Sequence, residues 1–215
     1  MSKTTPMNAE PLPLELGAQP EITLVQRTEV AELFGVESRN KYEVRGADGR
    51  VLAYVAEQGR STAEALVRMF LGHWRTFELQ IFDTARRPVM RARHPFRWFF
   101  RRLELETPDG RPLGVIQQRW GLLRRRFDLL DAHGRAFLTM DASLFAPWTF
   151  PILRAGAAVA CIEKRWGGLL KEGFTDADTF RVTFTPGVSA AERGVLLATA
   201  VFVDLKYFEK RAGRV

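Results

Sequence analysis

SAAERGVLLATAVFVDLKYFEKR, residues 189–211, decides the fold. Ser189 followed three residues later by Glu192 forms a capping box in front of an apolar run, which predicts a helix starting near Ala190. From Gly194 to Val203 there is no charge, and apolar residues cover every face of such a helix. Helices of that kind are buried, in protein or in lipid. Length separates the two. A bilayer takes about 20 mostly apolar residues, whereas this run lasts ten before Asp204 and then Lys206 interrupt it. A charge near the bilayer centre costs roughly 2.5–3.5 kcal/mol by insertion scales. The expectation is a helix that plugs a protein interior, with no membrane span.

The residues upstream supply that interior. An alternating apolar and polar run, an Asp, Gly or Arg turn and a second such run recur as YEVRGADGRVLAYVAEQ (Tyr42 to Gln58) and FELQIFDTARRPVMRAR (Phe77 to Arg93). The same grammar returns in LELETPDGRPLGVIQQRW (Leu103 to Trp120) and FDLLDAHGRAFLTMD (Phe127 to Asp141). Turns are expected at Asp48-Gly49, after Asp83, at Asp109-Gly110 and at His133-Gly134. Tyr42 and Val44 should face one side and Glu43 and Arg45 the other, with Phe77, Leu79 and Ile81 following the same order. Successive hairpins without intervening helices make an antiparallel meander, and so many strands close most easily into a barrel. The fold expected is mainly β, with about ten to twelve strands. STAEALVRMFLGHW (Ser61 to Trp74) breaks the pattern and reads as a short amphipathic helix or apolar loop. RWGLLRRRFDLLDA, from Arg119, resembles RWGGLLKEGFTDAD, from Arg165, which suggests two related halves.

A chain of 215 residues that is 46% hydrophobic can bury a sizeable core. Residues 1–20 are rich in Pro, Glu and small residues and lack a signal-peptide pattern. They read as a disordered tail ahead of one domain over residues 21–213. Cys161 is the single cysteine, so no disulfide or cysteine metal cluster can form within one chain. His73, His94 and His133 are scattered, which leaves neither a metal cluster nor a catalytic triad in view. No Gly-rich phosphate loop stands between a strand and a helix, so no nucleotide cofactor is expected. The chain reads as a binding protein, not as a catalyst of covalent chemistry.

Net charge is +7, and Arg outnumbers Lys by 26 to 6. Arginine forks suit phosphate, whether on lipid headgroups or on nucleic acid. The richest candidate is RARHPFRWFFRRLE (Arg91 to Glu104), where Arg93, Arg97, Arg101 and Arg102 flank Phe96, Trp98, Phe99 and Phe100. Arginines beside aromatics at headgroup level would suit a membrane surface. Alternation of Phe96, Trp98 and Phe100 into a core, with solvated arginines between, fits the same spacing. Arg124, Arg125 and Arg126 form a second basic cluster.

From about Asn40 to Glu209 the sequence resembles the phospholipid scramblase family. The match is sharpest in CIEKRWGGLLKEGFTDADTFRVTF (Cys161 to Phe184) and in VFVDLKYFE, ending at Glu209, with NKYEV at Asn40 and the Asp-Gly-Arg turns adding to it. The resemblance implies a closed antiparallel tubby-like β-barrel of about 12 strands around a buried hydrophobic C-terminal helix. It also implies a site at the membrane surface and transbilayer movement of phospholipid; the arginine and aromatic residues then point to anionic headgroups as partners, and the single cysteine to a cytoplasmic, peripheral place on the inner membrane surface. A soluble tubby-like module binding nucleic acid or protein is the alternative. Calcium dependence is implied as well, with Asp176 and Asp178 as weak ligand candidates. The family's further acidic positions carry Gly187 and Ser189 here, and two carboxylates fall short of the roughly six to eight oxygens calcium takes. The cysteine cluster that family members use for palmitoylation is missing from Ser61 to Trp74.

Overall fold

The computed structural model describes residues 12–27, 40–58, 77–95, 101–165 and 179–208. Period-two alternation places every second side chain of each strand on the dry face. Tyr42 and Val44 are buried while Glu43 and Arg45 face outward, and Leu79 and Ile81 are buried with Phe77 packed beside them. The strands are β1 (Glu21–Gln26), β2 (Lys41–Gly46), β3 (Val51–Glu57), β4 (Phe77–Phe82), β5 (Pro88–His94) and β6 (Arg102–Glu106). They continue as β7 (Pro112–Arg119), β8 (Arg124–Asp131), β9 (Ala136–Ser143), β10 (Thr149–Arg154), β11 (Ala157–Arg165) and β12 (Thr179–Phe184). One helix follows, α1 (Ala190–Tyr207).

Each strand pairs antiparallel with its sequence neighbour, and β1 closes the barrel by pairing with both β2 and β12. The expected closed, mainly β architecture with a buried C-terminal helix is therefore observed. The tight turns stand where Asp, Gly and Arg place them. At Asp48-Gly49 the Gly49 amide donates to Gly46 and Gly49 takes φ 78°, a left-handed geometry that suits glycine. Asp131 accepts from the backbone of His133 and Arg135 and from the Arg135 side chain, which ties that turn shut.

Antiparallel order gives the barrel two unlike ends. The turns β2–β3, β4–β5, β6–β7, β8–β9 and β10–β11 lie at one, here the turn end. The connections β7–β8 and β9–β10 lie at the other, the loop end, together with the strand ends that flank residues 28–39, 59–76, 96–100 and 166–178. α1 enters at the turn end and finishes at the loop end.

The helix starts as the sequence predicts. Ser189 Oγ accepts from the Glu192 amide, and the Glu192 carboxylate accepts from the Ser189 amide and from Arg154. Leu196, Leu197, Ala198, Ala200 and Val201 are fully buried, filling the space that a barrel of this size must fill with side chains. Among the described residues no helix is long and apolar enough to cross a membrane.

Two expectations are corrected. Within the supposed tail, residues 12–20 lie against the turn end: Leu14 and Leu16 are buried, and the buried Arg193 donates to the carbonyls of Leu16 and Gln19. Leucines at every second position beneath a polar, proline-rich surface supply that seat. The two similar segments from Arg119 and Arg165 begin at the ends of β7 and β11, four strands apart in a barrel of twelve. Their offset is thus a third of the barrel, not a half. The Ser61 to Trp74 segment lies outside the described residues.

Candidate functional site

Strand alternation sorts the basic residues that the sequence groups together. In β8, Arg124 and Arg126 point outward and share the Asp141 carboxylate, whereas Arg125 falls on the inward face with Phe127 and Leu129. In β5, Arg93 points outward toward Glu78, and in β6 Arg102 pairs with Glu104 at 3.0 Å. Arg101, one residue before β6, keeps the inward phase of Leu103 and Leu105. Of the candidate arginines, then, Arg93, Arg102, Arg124 and Arg126 lie on the outer wall in ion pairs. Arg101 and Arg125 turn into the barrel mouth at the loop end. Arg97, Trp98 and Phe99 lie outside the described residues, as do Asp176 and Asp178; the strand ends that flank residues 96–100 are at the loop end.

The mouth is where α1 ends. Tyr42 donates to Asp204 at 2.6 Å on the β2 side. Lys206, on the opposite side of the helix, donates to Gln118 at 2.6 Å and sits over the rings of Phe127 and Tyr207 at 4.5 and 5.0 Å. Arg125 lies over the same Tyr207 ring at 4.6 Å and donates to the Pro147 carbonyl. Burial pushes the Lys206 ammonium down to about 6, and Arg101 and Arg125 add to the shift. Burial pushes the Tyr207 hydroxyl up to about 12 against the pull of the same two arginines.

Outside the mouth stands an apolar edge that sequence reasoning missed. The large hydrophobic side chains exposed among the described residues are Trp120, Leu122, Leu123, Leu144 and Phe145, from 41% to 85% accessible. All five belong to the β7–β8 and β9–β10 connections at the loop end. The two connections touch, since the Leu144 amide donates to the Leu123 carbonyl. Apolar side chains left in solvent and rimmed by Arg119, Arg124 and Arg126 mark an interaction surface. Two apolar runs in hairpin connections, where polar turn residues are the rule, were the available signal.

The family model for Scramblase matches residues 1–210. The chain belongs to the Scramblase family. Phospholipid scramblase 2 of Homo sapiens is 28% identical, over 95% of this chain and 73% of that protein. Phospholipid scramblase 1 of Mus musculus is 29% identical, over 95% and 66%. Altered inheritance rate of mitochondria protein 25 of Saccharomyces cerevisiae is 25% identical, over 94% and 75%. An X-ray structure of an Arabidopsis thaliana protein covers 86% of this chain and 93% of its own, with 15% identity and a TM-score of 0.49.

For this scramblase-family chain, calcium fits the described residues poorly. Gly187 and Ser189 follow β12 at the turn end, while Asp176 and Asp178 lie outside the described residues. At the turn end Ser189 and Glu192 are committed to the capping box and to Arg154. Among the described residues no group of three or more His, Cys, Asp or Glu could hold a metal ion.

Proposed function

We propose that this chain is a phospholipid scramblase-like protein that seats its loop end on anionic membrane and promotes movement of phospholipid between leaflets. The observation that carries the seat is the apolar edge of Trp120, Leu122, Leu123, Leu144 and Phe145, bordered by arginines. Membership of the Scramblase family supports the lipid reading. Side chains of this kind enter the headgroup boundary, where burial is worth about 25 cal/mol per Å². Arg119, Arg124 and Arg126 would exchange their aspartate partners for phosphates at little cost, because exposed ion pairs are worth roughly 0–1 kcal/mol. A peripheral position on the inner, anionic leaflet follows from that chemistry.

Flotation with vesicles of phosphatidylcholine, alone or with phosphatidylglycerol, tests the seat. The protein should float with the anionic vesicles, less so at high salt, and L122S/L123S/F145S should lose at least tenfold in partitioning. No flotation of the wild type at low salt overturns the reading. For lipid movement, reconstituted vesicles carrying labelled lipid are challenged with dithionite, with and without calcium. Loss of the inner-leaflet label is expected; a label that stays protected in both conditions excludes transfer between leaflets.

A further inference from the structure

Arg125 and Lys206 differ from the arginines around them. The described outer-wall arginines of the candidate set sit beside carboxylates. Arg125 spends a single donor on the Pro147 carbonyl, and Lys206 a single donor on Gln118. Among the described residues no carboxylate lies within ion-pair distance of either. Both instead sit on the ring of Tyr207, which brings a guanidinium and a lysine amine together at the end of a barrel interior. Arg101 adds a second guanidinium, close enough to influence both Lys206 and Tyr207. A bound anion would offset the cost of burying Arg125 here and would restore the charge on Lys206.

We infer that the barrel mouth formed by Arg101, Arg125 and Lys206 is a binding site for the phosphodiester of an anionic phospholipid headgroup. This rests on the proposed membrane seat and gives it a specific contact. Arg125 presents a fork suited to two phosphate oxygens, and Lys206 a point charge beside it. The C-terminus of α1 opposes an anion with about half an elementary charge, far less than the cations supply. Asp204 lies about 200° round the helix from Lys206, and its carboxylate is held by Tyr42. Phe127 and Tyr207 wall the site. Through Pro147, Arg125 joins the mouth to the connection that carries Leu144 and Phe145, so a lipid whose tails meet that edge has its phosphate next to the site.

Among the described residues, the charged and titratable groups facing Lys206 are Arg101, Arg125 from β8, His94 from β5 and Tyr207 beside it. Burial, and after it the charges of Arg101 and Arg125, hold Lys206 low in its proton affinity, and a bound anion raises it again. Binding near pH 7.5 should therefore take up a proton.

The full chain is compared with R125Q/K206M and with R50Q/R111Q, which loses two exposed turn-end arginines. The probes are free sn-glycero-3-phosphoglycerol, by calorimetry in buffers of different ionisation enthalpy, and phosphatidylglycerol vesicles, by flotation. R125Q/K206M should bind vesicles at least tenfold more weakly, and R50Q/R111Q like the wild type. Parallel loss for the free headgroup would show that the phosphodiester alone is read; loss confined to vesicles would show that the site fills from a lipid. If the wild type binds vesicles and R125Q/K206M binds equally well, the site is wrong and the membrane seat stands. If the wild type binds no vesicle, the seat itself fails. Should R125Q/K206M not fold, as judged by its circular dichroism, R125K keeps the charge without the fork. Undiminished R125K binding without proton uptake by the wild type then overturns the site.

Discussion

Lys206 makes the sharpest prediction at the scale of one residue. Its ordinary value is 10.5, and in the folded barrel burial takes it to about 6. Between those values the unfolded chain holds the proton that the folded chain gives up, so stability rises with pH across this window and the contribution is lost by pH 6. The slope is at most about 1.4 kcal/mol per pH unit. His94, lowered mainly by burial, acts in the same sense below its ordinary 6.5. Tyr207, raised to about 12, lowers stability as pH climbs past 10. Burial raises the Cys161 thiol from 9.0, so urea midpoints between pH 7 and 9.5 isolate Lys206 in a chain with Cys161 replaced by Ser. They should rise in that chain, and K206M within it should be more stable at pH 7 with a flatter profile. A flat parent profile with a destabilised K206M would mean that the ammonium stays charged. The sequence shows Arg124, Arg125 and Arg126 as one cluster, but a strand turns successive side chains to opposite faces. Only pairing with β9 and the approach of α1 reveal that Arg125 belongs with Lys206 and the outer two with Asp141.

At the scale of elements, α1 was legible almost to the residue, because the capping box, the all-round apolar run and the closing charges agree. Its substitutions should separate those contributions. Removing the Ser189 hydroxyl leaves the Glu192 amide without its cap, and S189A should lower stability by about 1 kcal/mol in thermal or urea denaturation. Leu197→Asp puts a carboxylate where accessibility is 0%, with nothing to pair it, and should abolish the folded state. A folded, soluble L197D protein would contradict the plug. The hairpins were legible for a similar reason: Asp, Gly and Arg mark their turns, and alternation marks their faces. Residues 12–20 were not. Leu14 and Leu16 are buried against the end of a barrel that exists only once β1 and β12 have paired. The apolar edge escaped notice because GLL and LFAPW look like ordinary hydrophobic sequence until both ends of each segment are fixed in strands. Arg97, Trp98 and Phe99, outside the described residues, keep their standing as proposals for membrane contact.

At the scale of the whole molecule, an antiparallel barrel with an axial helix is polar from end to end. The turn end carries tight turns, the capping box and the charged seat of Arg193 on residues 16–19. The loop end carries the exposed apolar edge and the cationic mouth. Strand pairing runs unbroken around the wall, leaving no open sheet edge for a partner strand to extend. Membrane contact then has one favoured polarity, with the loop end down and the turns toward solvent. This is testable without reference to lipid movement. In a chain with Cys161 replaced by Ser, a fluorophore on L122C should be quenched by brominated or spin-labelled lipid in anionic vesicles, and one on D109C in the β6–β7 turn should not. Equal quenching at both positions would mean that the barrel lies on its side, with the outer-wall arginines Arg93, Arg102 and Arg124 making the contact. Quenching at Asp109 alone would place the turn end down. In either case neither the apolar edge nor the mouth could meet a headgroup from the position proposed, because the wall of the barrel, rather than any flexible arm, fixes their distance from the bilayer.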